Sequence, residues 1–310
     1  MTIREIDLER DVDACVALLR ETSPGTVTNR AAWLARTRAF PRRAQLAGFV
    51  AEEDARVVGE SYGFLGLFGD VATGICMVTV EAEYRRRGIG RALFEPIEAH
   101  LAAAGVTSLL ARFVENAPGV AFACALGFHE VRAETEAALD VRTVTEQPPA
   151  DADLRPVSQT DPRHAHLVDV EATRDMPSTE EVLDMPYEEW ARFVLDYPIF
   201  QPDGSFVAYV DGEPAAVSLL VADFETGRAL NWFTGTRRAY RGRGLAAAVK
   251  LASIAWAREH GVAEMVTDND ETNAPMLSIN RRLGFRPARR RVEYLREETA
   301  FAPAPPAPAT

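Results

Sequence analysis

The sequence writes one passage twice, 156 or 157 residues apart, and this repeat limits the fold more than any other feature. Arg85-Arg86-Arg87-Gly88-Ile89-Gly90 returns as Arg241-Gly242-Arg243-Gly244-Leu245-Ala246. Gly105 and Gly261 lie 156 apart; Asn116 and Asn273, like Phe128 and Phe285, lie 157 apart. Phe49-Val50-Ala51 reappears as Phe206-Val207-Ala208, and Ile3-Arg4-Glu5-Ile6 as Leu154-Arg155-Pro156-Val157. A near-constant offset over this span means two copies of one domain of about 145 residues, a usual domain size and too long a period for a solenoid. A chain of 310 residues that is 47% apolar can bury two such cores. We expect an N-terminal domain over residues 1–145 and a C-terminal domain over 152–298. Pro148-Pro149 marks the linker between them, because adjacent prolines stop helix and sheet alike. Residues 299–310 form a Pro/Ala-rich tail too poor in core-forming residues to fold.

Apolar periodicity gives both halves the same order of elements. In the first half, strand 2–6 precedes a helix with Val12, Cys15, Val16 and Leu19 on one stripe. Strands follow near 49–52, 56–63 and 75–80, the last running into the Arg/Gly loop and a helix with Ile89, Leu93, Ile97 and Leu101 on one face. Strand 108–113, a short helix and a closing strand 137–141 complete the half. The second half has strands 206–210, 213–221, 229–236 and 264–268 and its own closing strand, 291–295. The expected fold class is α+β, with a mixed, mostly antiparallel sheet flanked by helices in each half.

Glycines at a strand-to-helix junction let a ligand approach the main chain, where backbone N–H groups, the helix dipole and arginines favour an anion such as pyrophosphate. A P-loop would need Gly-Lys-Ser/Thr, which is absent. A dinucleotide fingerprint is nearly met by Gly242-Arg243-Gly244-Leu245-Ala246-Ala247 with Glu264 downstream. That glutamate begins its strand, however, and the first copy puts Leu93 where a small residue belongs. Coenzyme A is the third reading.

Here the chain resembles the GCN5-related N-acetyltransferase (GNAT) superfamily in a tandem two-domain form, over nearly its whole length. The resemblance rests on Val78-Thr79-Val80 leading to Arg85–Gly90 and Arg91, with Asn116 and Leu126-Gly127-Phe128. It recurs in Thr234-Gly235-Thr236 leading to Arg241–Ala246, with Asn273 and Leu283-Gly284-Phe285. It implies acetyl-CoA as the cofactor, its pyrophosphate held by backbone amides of Arg85, Arg86, Arg87, Gly88, Ile89 and Gly90 and of Arg241, Gly242, Arg243, Gly244, Leu245 and Ala246. It further implies pantetheine pairing along Val78, Val80 and Thr234–Thr236, with Asn116 and Asn273 bonding the pantetheine arm. An amine would attack the thioester directly, in a ternary complex.

Such a reaction needs positioning, an oxyanion donor and modest acid–base help. The tyrosine common in the family, five residues before the Gly-Phe phenylalanine, is Ala123 in one copy and Asn280 in the other. No glutamate stands in strands 75–80 or 229–236. Tyr294 is the best substitute hydroxyl, and Asp268, Asn269 and Asp270 end the strand expected beside the acetyl group. Tyr294 also reads as a half-buried strand residue, and the Asp-Asn-Asp run as turn chemistry. Residues 171–200 hold eight acids interleaved with Tyr187, Trp190, Phe193, Tyr197 and Phe200, a composition suited to a cationic amine. The matching first-half stretch carries Arg30, Arg36, Arg38, Arg42 and Arg43, which would repel such an acceptor. The C-terminal domain is therefore favoured as the active N-acetyltransferase. The alternative is a catalytically degenerate tandem that binds acyl-CoA as a sensor or scaffold.

A net charge of −12 disfavours nucleic acid as a partner. No run is apolar enough to span a bilayer and no signal peptide opens the chain, so a cytoplasmic monomer or homodimer with a small-molecule partner is expected. Cys15, Cys76 and Cys124 lack the spacing of a zinc site or a disulfide framework.

Overall fold

A computed structural model describes residues 1–66, 72–177 and 184–297; the tail expected at 299–310 lies outside them. The first half contains β1 (Thr2–Glu5), α1 (Leu8–Thr22), α2 (Arg30–Ala39), β2 (Ala47–Glu53), β3 (Arg56–Leu65), β4 (Thr73–Val80), α3 (Ile89–Ala103), β5 (Ser108–Val114), α4 (Ala117–Ala125) and β6 (His129–Asp140). The second contains β7 (Asp153–Pro156), α5 (Pro162–Thr173), α6 (Tyr187–Val194), β8 (Phe206–Val210), β9 (Glu213–Asp223), β10 (Arg228–Thr236), α7 (Leu245–Glu259), β11 (Glu264–Asp270), α8 (Ala274–Arg282) and β12 (Arg286–Glu297). Each half is mixed α/β, as expected.

Alternation along the strands sends successive side chains to opposite faces. Val50 packs with Val12, Cys15 and Trp33 under α1 and α2, whereas Ala51 packs with Ile89 and Leu93 under α3. In the second half, Val217, Leu219 and Val221 pack with Val168, Trp190 and Val194 under α5 and α6. Leu220 and Ala222 pack with Leu251 and Ile254 under α7.

The strands of the described residues join in one twelve-stranded sheet ordered β1-β2-β3-β4-β5-β12-β6-β11-β10-β9-β8-β7. The sequence-based expectation that each half closes with its own last strand is corrected here. β12 lies antiparallel to β5, with Tyr294 opposite Ala111, and β6 lies antiparallel to β11, with Ala138 opposite Val266. Each half thus receives its last strand from the other, and β6 and β12 also pair together down the middle. The seam between them is charged and buried. Arg132 reaches Glu134 (2.8 Å), Asp270 (2.7 Å) and Glu293 (3.2 Å), while Arg112 holds Glu293 at 2.7 Å. Removing one member would leave an uncompensated buried charge.

Candidate acyl-transfer site

Local sequence shapes both phosphate loops alike. Arg86 and Gly88 in the first, Gly242 and Gly244 in the second, all have positive φ, between 64° and 83°. This backbone turns successive N–H groups to one side, making an anion-binding nest. α3 and α7 begin at Gly88 and Gly244 with no side-chain cap, so their first-turn N–H donors stay available. The first arginine of each loop folds back on the preceding strand: Arg85 Nε donates to the Val80 carbonyl (2.9 Å) and Arg241 Nε to that of Thr236 (3.1 Å). Glycine supplies both left-handed positions only in the second loop. In the first, Arg86 bears that strain.

In each half the strand before the loop starts parallel to its neighbour and then departs. β4 pairs with β5 only from Thr73 to Cys76, and β10 with β11 only from Arg228 to Leu230. β10 then bulges between Asn231 and Phe233, whereas β4 runs against β3 without such a shift. A bulge frees backbone groups from the ladder and re-aims side chains. It turns Trp232 and Phe233 together onto the α5/α6 side, where both pack against that core.

Beneath the bulge, on the α7 side, is a buried polar network. Lys250 Nζ donates to Asn231 Oδ1 (2.6 Å), Asn231 Nδ2 to Ser218 Oγ (2.7 Å), and Thr234 Oγ1 to Asn231 Oδ1 (2.8 Å). Lys250 is 1% exposed, and burial pushes its ammonium down from the ordinary 10.5 to about 7. Between those two values the unfolded chain binds a proton that the folded chain does not, so stability rises with pH there. The full cost is present below pH 7. Lys250→Met is expected to remove this slope, a difference on the order of 3 kcal/mol between pH 6.5 and 9.5 in urea unfolding.

The sequence-predicted residues fall into three groups. Val78, Val80, Thr234, Gly235 and Thr236 lie on the departing stretches of β4 and β10. At Gly235 a Cβ would come within 2.6 Å of Ala172, so α5 crosses the strand only because glycine is there. Ile89, Gly90 and Arg91 open α3 just after the first loop, as Leu245 and Ala246 open α7 after the second. Asn116 and Asn273 are the N-caps of α4 and α8, accepting from Gly119 (2.9 Å) and Met276 (3.3 Å). The proposed acid–base residues separate. Asp268 lies on β11 just past its last pairing with β10. Its Oδ1 is buried without a partner, and burial pushes its carboxyl up to about 6, with Glu136 and Glu134 adding and Arg291 opposing. Asn269 accepts from Asn280 Nδ2 (2.5 Å). Asp270 is taken up by Arg132 and by the Thr272 turn.

Tyr294 does not serve the C-terminal half, which corrects the expectation from its place in the chain. Strand exchange carries it into the core of the first half, its ring 5.3 Å from Phe113 and its hydroxyl 3.4 Å from Glu130. Tyr294→Ala is expected to cost about 3 kcal/mol of stability, read as faster hydrogen exchange in β4 and β5. Tyr294→Phe should leave turnover within a factor of two.

Sequence reading missed Glu60, on β3 beside Thr79 of β4. It is 3% exposed, accepts from Tyr62 (3.1 Å), and is pushed up to about 7 by burial, its bonds to the Cys15 thiol and Tyr62 opposing. The only available signal was an acid inside an otherwise apolar strand run. Its counterpart in the second half is Val217.

The first-half arginines also sit differently from the expectation that they mark an acceptor-repelling domain of their own. Ala35, Arg36, Arg38 and Ala39 of α2 face Arg192, Phe193, Asp196, Tyr197 and Trp232 of the second half across a cavity of about 220 Å³. Arg43 clamps Glu189 at the start of α6 (2.5 Å). Most second-half acids are likewise engaged: Glu171 by Arg237, Asp175 by Arg238 and Arg241, and Asp184 by Arg174. Glu180 and Glu181 lie outside the described residues.

Comparison with known proteins agrees with this architecture. A tandem GNAT protein from the clavulanic acid biosynthesis pathway superposes with a TM-score of 0.73 at 23% identity, covering 98% of this chain and 99% of that one. A GCN5-related N-acetyltransferase from Sphaerobacter thermophilus gives 0.70 at 18% identity, covering 96% and 95%. One from Kribbella flavida gives 0.54 at 20%, covering 85% and 94%. At these identities the likeness speaks for the fold alone. No curated protein sequence matches the chain. The acetyltransferase (GNAT) family matches residues 12–128 and again 167–285, more than half of the chain, in the two segments that carry the duplicated loops. The chain belongs to the acetyltransferase (GNAT) family, in tandem form.

Proposed function

We propose that the protein transfers an acetyl group from acetyl-CoA to a small amine, cationic in solution, by direct attack in a ternary complex formed by the C-terminal half. One observation carries this reading. Thr236 Oγ1 on β10 and Asp268 Oδ1 on β11 are buried without hydrogen-bond partners, each past the last pair between those two strands, and Asn280 Oδ1 on α8 is likewise unpaired, its Nδ2 bonded to Asn269 of β11. The corresponding first-half residues are Val80, Ala111 and Ala123; the unpaired buried atoms of that half, Glu53 Oε2 and Glu81 Oε2, belong to carboxylates whose other oxygen is held by Arg87 and Arg56. A buried polar atom left unpaired costs about 1–3 kcal/mol, so one on each of the two parting strands favours a ligand that pairs with them.

Acetyl-CoA would supply an activated thioester carbonyl. The loop amides from Arg241 to Ala246 would hold its pyrophosphate, and the freed edge of β10 past the bulge would align the pantetheine. Asp268, ionised above about pH 6, would take the proton the ammonium must lose. As the C–N bond formed and the C–S bond broke, the second proton lost by the attacking nitrogen would pass to the leaving thiolate, giving amide and free thiol. Asp268→Asn is expected to lower kcat by about 10²-fold or more and to abolish the fall in rate below pH 6. An unchanged pH profile would remove Asp268 from the mechanism.

The first half fits the non-catalytic alternative better. Its opening is apolar, with Val78, Phe113 and Phe122 packed against one core, and Phe122 lying against Gly90. We therefore propose that any acyl-CoA bound there is structural. CoA release measured by chromatography with a panel of amines tests the reading, and binding of acetyl-CoA without release from any amine would reduce the protein to a sensor or scaffold. Three free cysteines suit a reducing, cytoplasmic setting. Among the described residues no helix is long and apolar enough to cross a membrane.

A further inference from the structure

The cavity between α2 and α6 has one wall from each half, and Trp232 of the β10 bulge stands in its lining. It therefore opens beside the place where an acceptor must meet the thioester. Its chemistry is uneven. Phe193, Tyr197 and Trp232 supply aromatic surface, with the Tyr197 and Trp232 rings 5.5 Å apart. Arg36, Arg38 and Arg192 supply three positive charges against one acid, Asp196. Arg38 is engaged by Glu9. Arg36 and Arg192 have no carboxylate partner among the described residues, although Arg30 on α2 holds Asp13 and Arg43, beyond the end of α2, holds Glu189. Arg192 Nε donates to the Glu188 carbonyl (3.2 Å), so two guanidiniums without a carboxylate partner line one small, partly aromatic cavity and make a fork for an anion.

We infer that the acceptor is a small amine that also bears a carboxylate, gripped by Arg36 and Arg192 across the seam between the halves while its apolar part lies against Phe193, Tyr197 and Trp232. This rests on the acyl-transfer reading and deepens it. The cavity's 220 Å³ lies below the ~300–1,000 Å³ of pockets for drug-sized ligands, which limits the acceptor to about the size of an amino acid. The first half thereby contributes specificity to the second half's reaction, and neither half alone would hold a complete acceptor site.

Two matched sets test this on the full chain saturated with acetyl-CoA: phenylalanine, phenylalaninamide and phenethylamine; then leucine, leucinamide and 3-methylbutylamine. Binding is read by tryptophan fluorescence, with Trp232→Phe identifying the reporting ring, and turnover by CoA release. In at least one set the carboxylated probe should bind about 10-fold or more tighter than its neutral partners. Arg36→Gln and Arg192→Gln should each remove about 10-fold of that preference. Both arginines are exposed and outside ion pairs, so thermal unfolding should not move. Turnover of the amide or the plain amine at equal or better kcat/KM overturns the inference and leaves acyl transfer standing. Arginine-dependent binding of the acids with no CoA release upholds the pocket and removes the acyl-transfer reading. Binding of neither class, or binding indifferent to both arginines, overturns the inference.

Discussion

Gly244→Val is expected to abolish acetyl-CoA binding by the C-terminal half while leaving the protein folded. Gly244 has φ +78° and caps α7 with no side chain of its own, and a Cβ added there meets no protein atom within 4 Å. The fold therefore bears only the strain of a branched residue in the left-handed region, about 1–3 kcal/mol. The ligand bears more. Relaxing that strain rotates the peptide units whose N–H groups form the nest. Losing two charge-assisted hydrogen bonds, each worth about 1.5–3 kcal/mol, weakens binding by ~100-fold or more. Gly88→Val, with the same geometry at φ +83°, is the internal control. Calorimetric titration reads stoichiometry as well as affinity, so two sites in the parent should become one in either variant. Turnover should vanish only in Gly244→Val. If Gly88→Val alone stops turnover, the first half is the active one and the proposed division of labour is reversed.

A chain cut within residues 146–151 is expected to remain a single particle of 34.0 kDa. This segment is largely exposed and carries no helix or strand, so a protease site inserted there should be accessible. Two self-contained domains would separate after cleavage into pieces of about half the mass. Here separation would strip β12 from β5 and β6 from β11, exposing strand edges on both sides and opening the Arg132 network. Co-elution of the fragments in native buffer, and their separation only in denaturant, is the expected result. Fragments that part on a sizing column without denaturant would show that the exchange does not hold the halves together.

The sequence by itself determined whatever depends on neighbours along the chain. The loops at Arg85–Gly90 and Arg241–Ala246 need only a few neighbouring residues, with glycine at both left-handed positions in the second and at one of the two in the first. The asparagine caps at Asn116 and Asn273 need only the next helical turn. The helix and strand periods needed no partner to be read. The repeat gave the tandem architecture, and the loop with its neighbouring motifs gave the family. Strand exchange was invisible for a physical reason. β6 and β12 are copies of one strand, with similar length and alternation, and either can pair with β5 or β11. The hydrophobic pattern that sets register therefore cannot say which copy goes where. Only the closed sheet decides, and it moved Tyr294 into the first half while leaving Asp268 beside the opening in the second. The acceptor pocket was hidden in the same way. Arg36 and Arg192 are separated by more than half the chain, and each reads as a solvated helix charge. They become one feature only when the packing of α2 against α6 sets them across a common cavity.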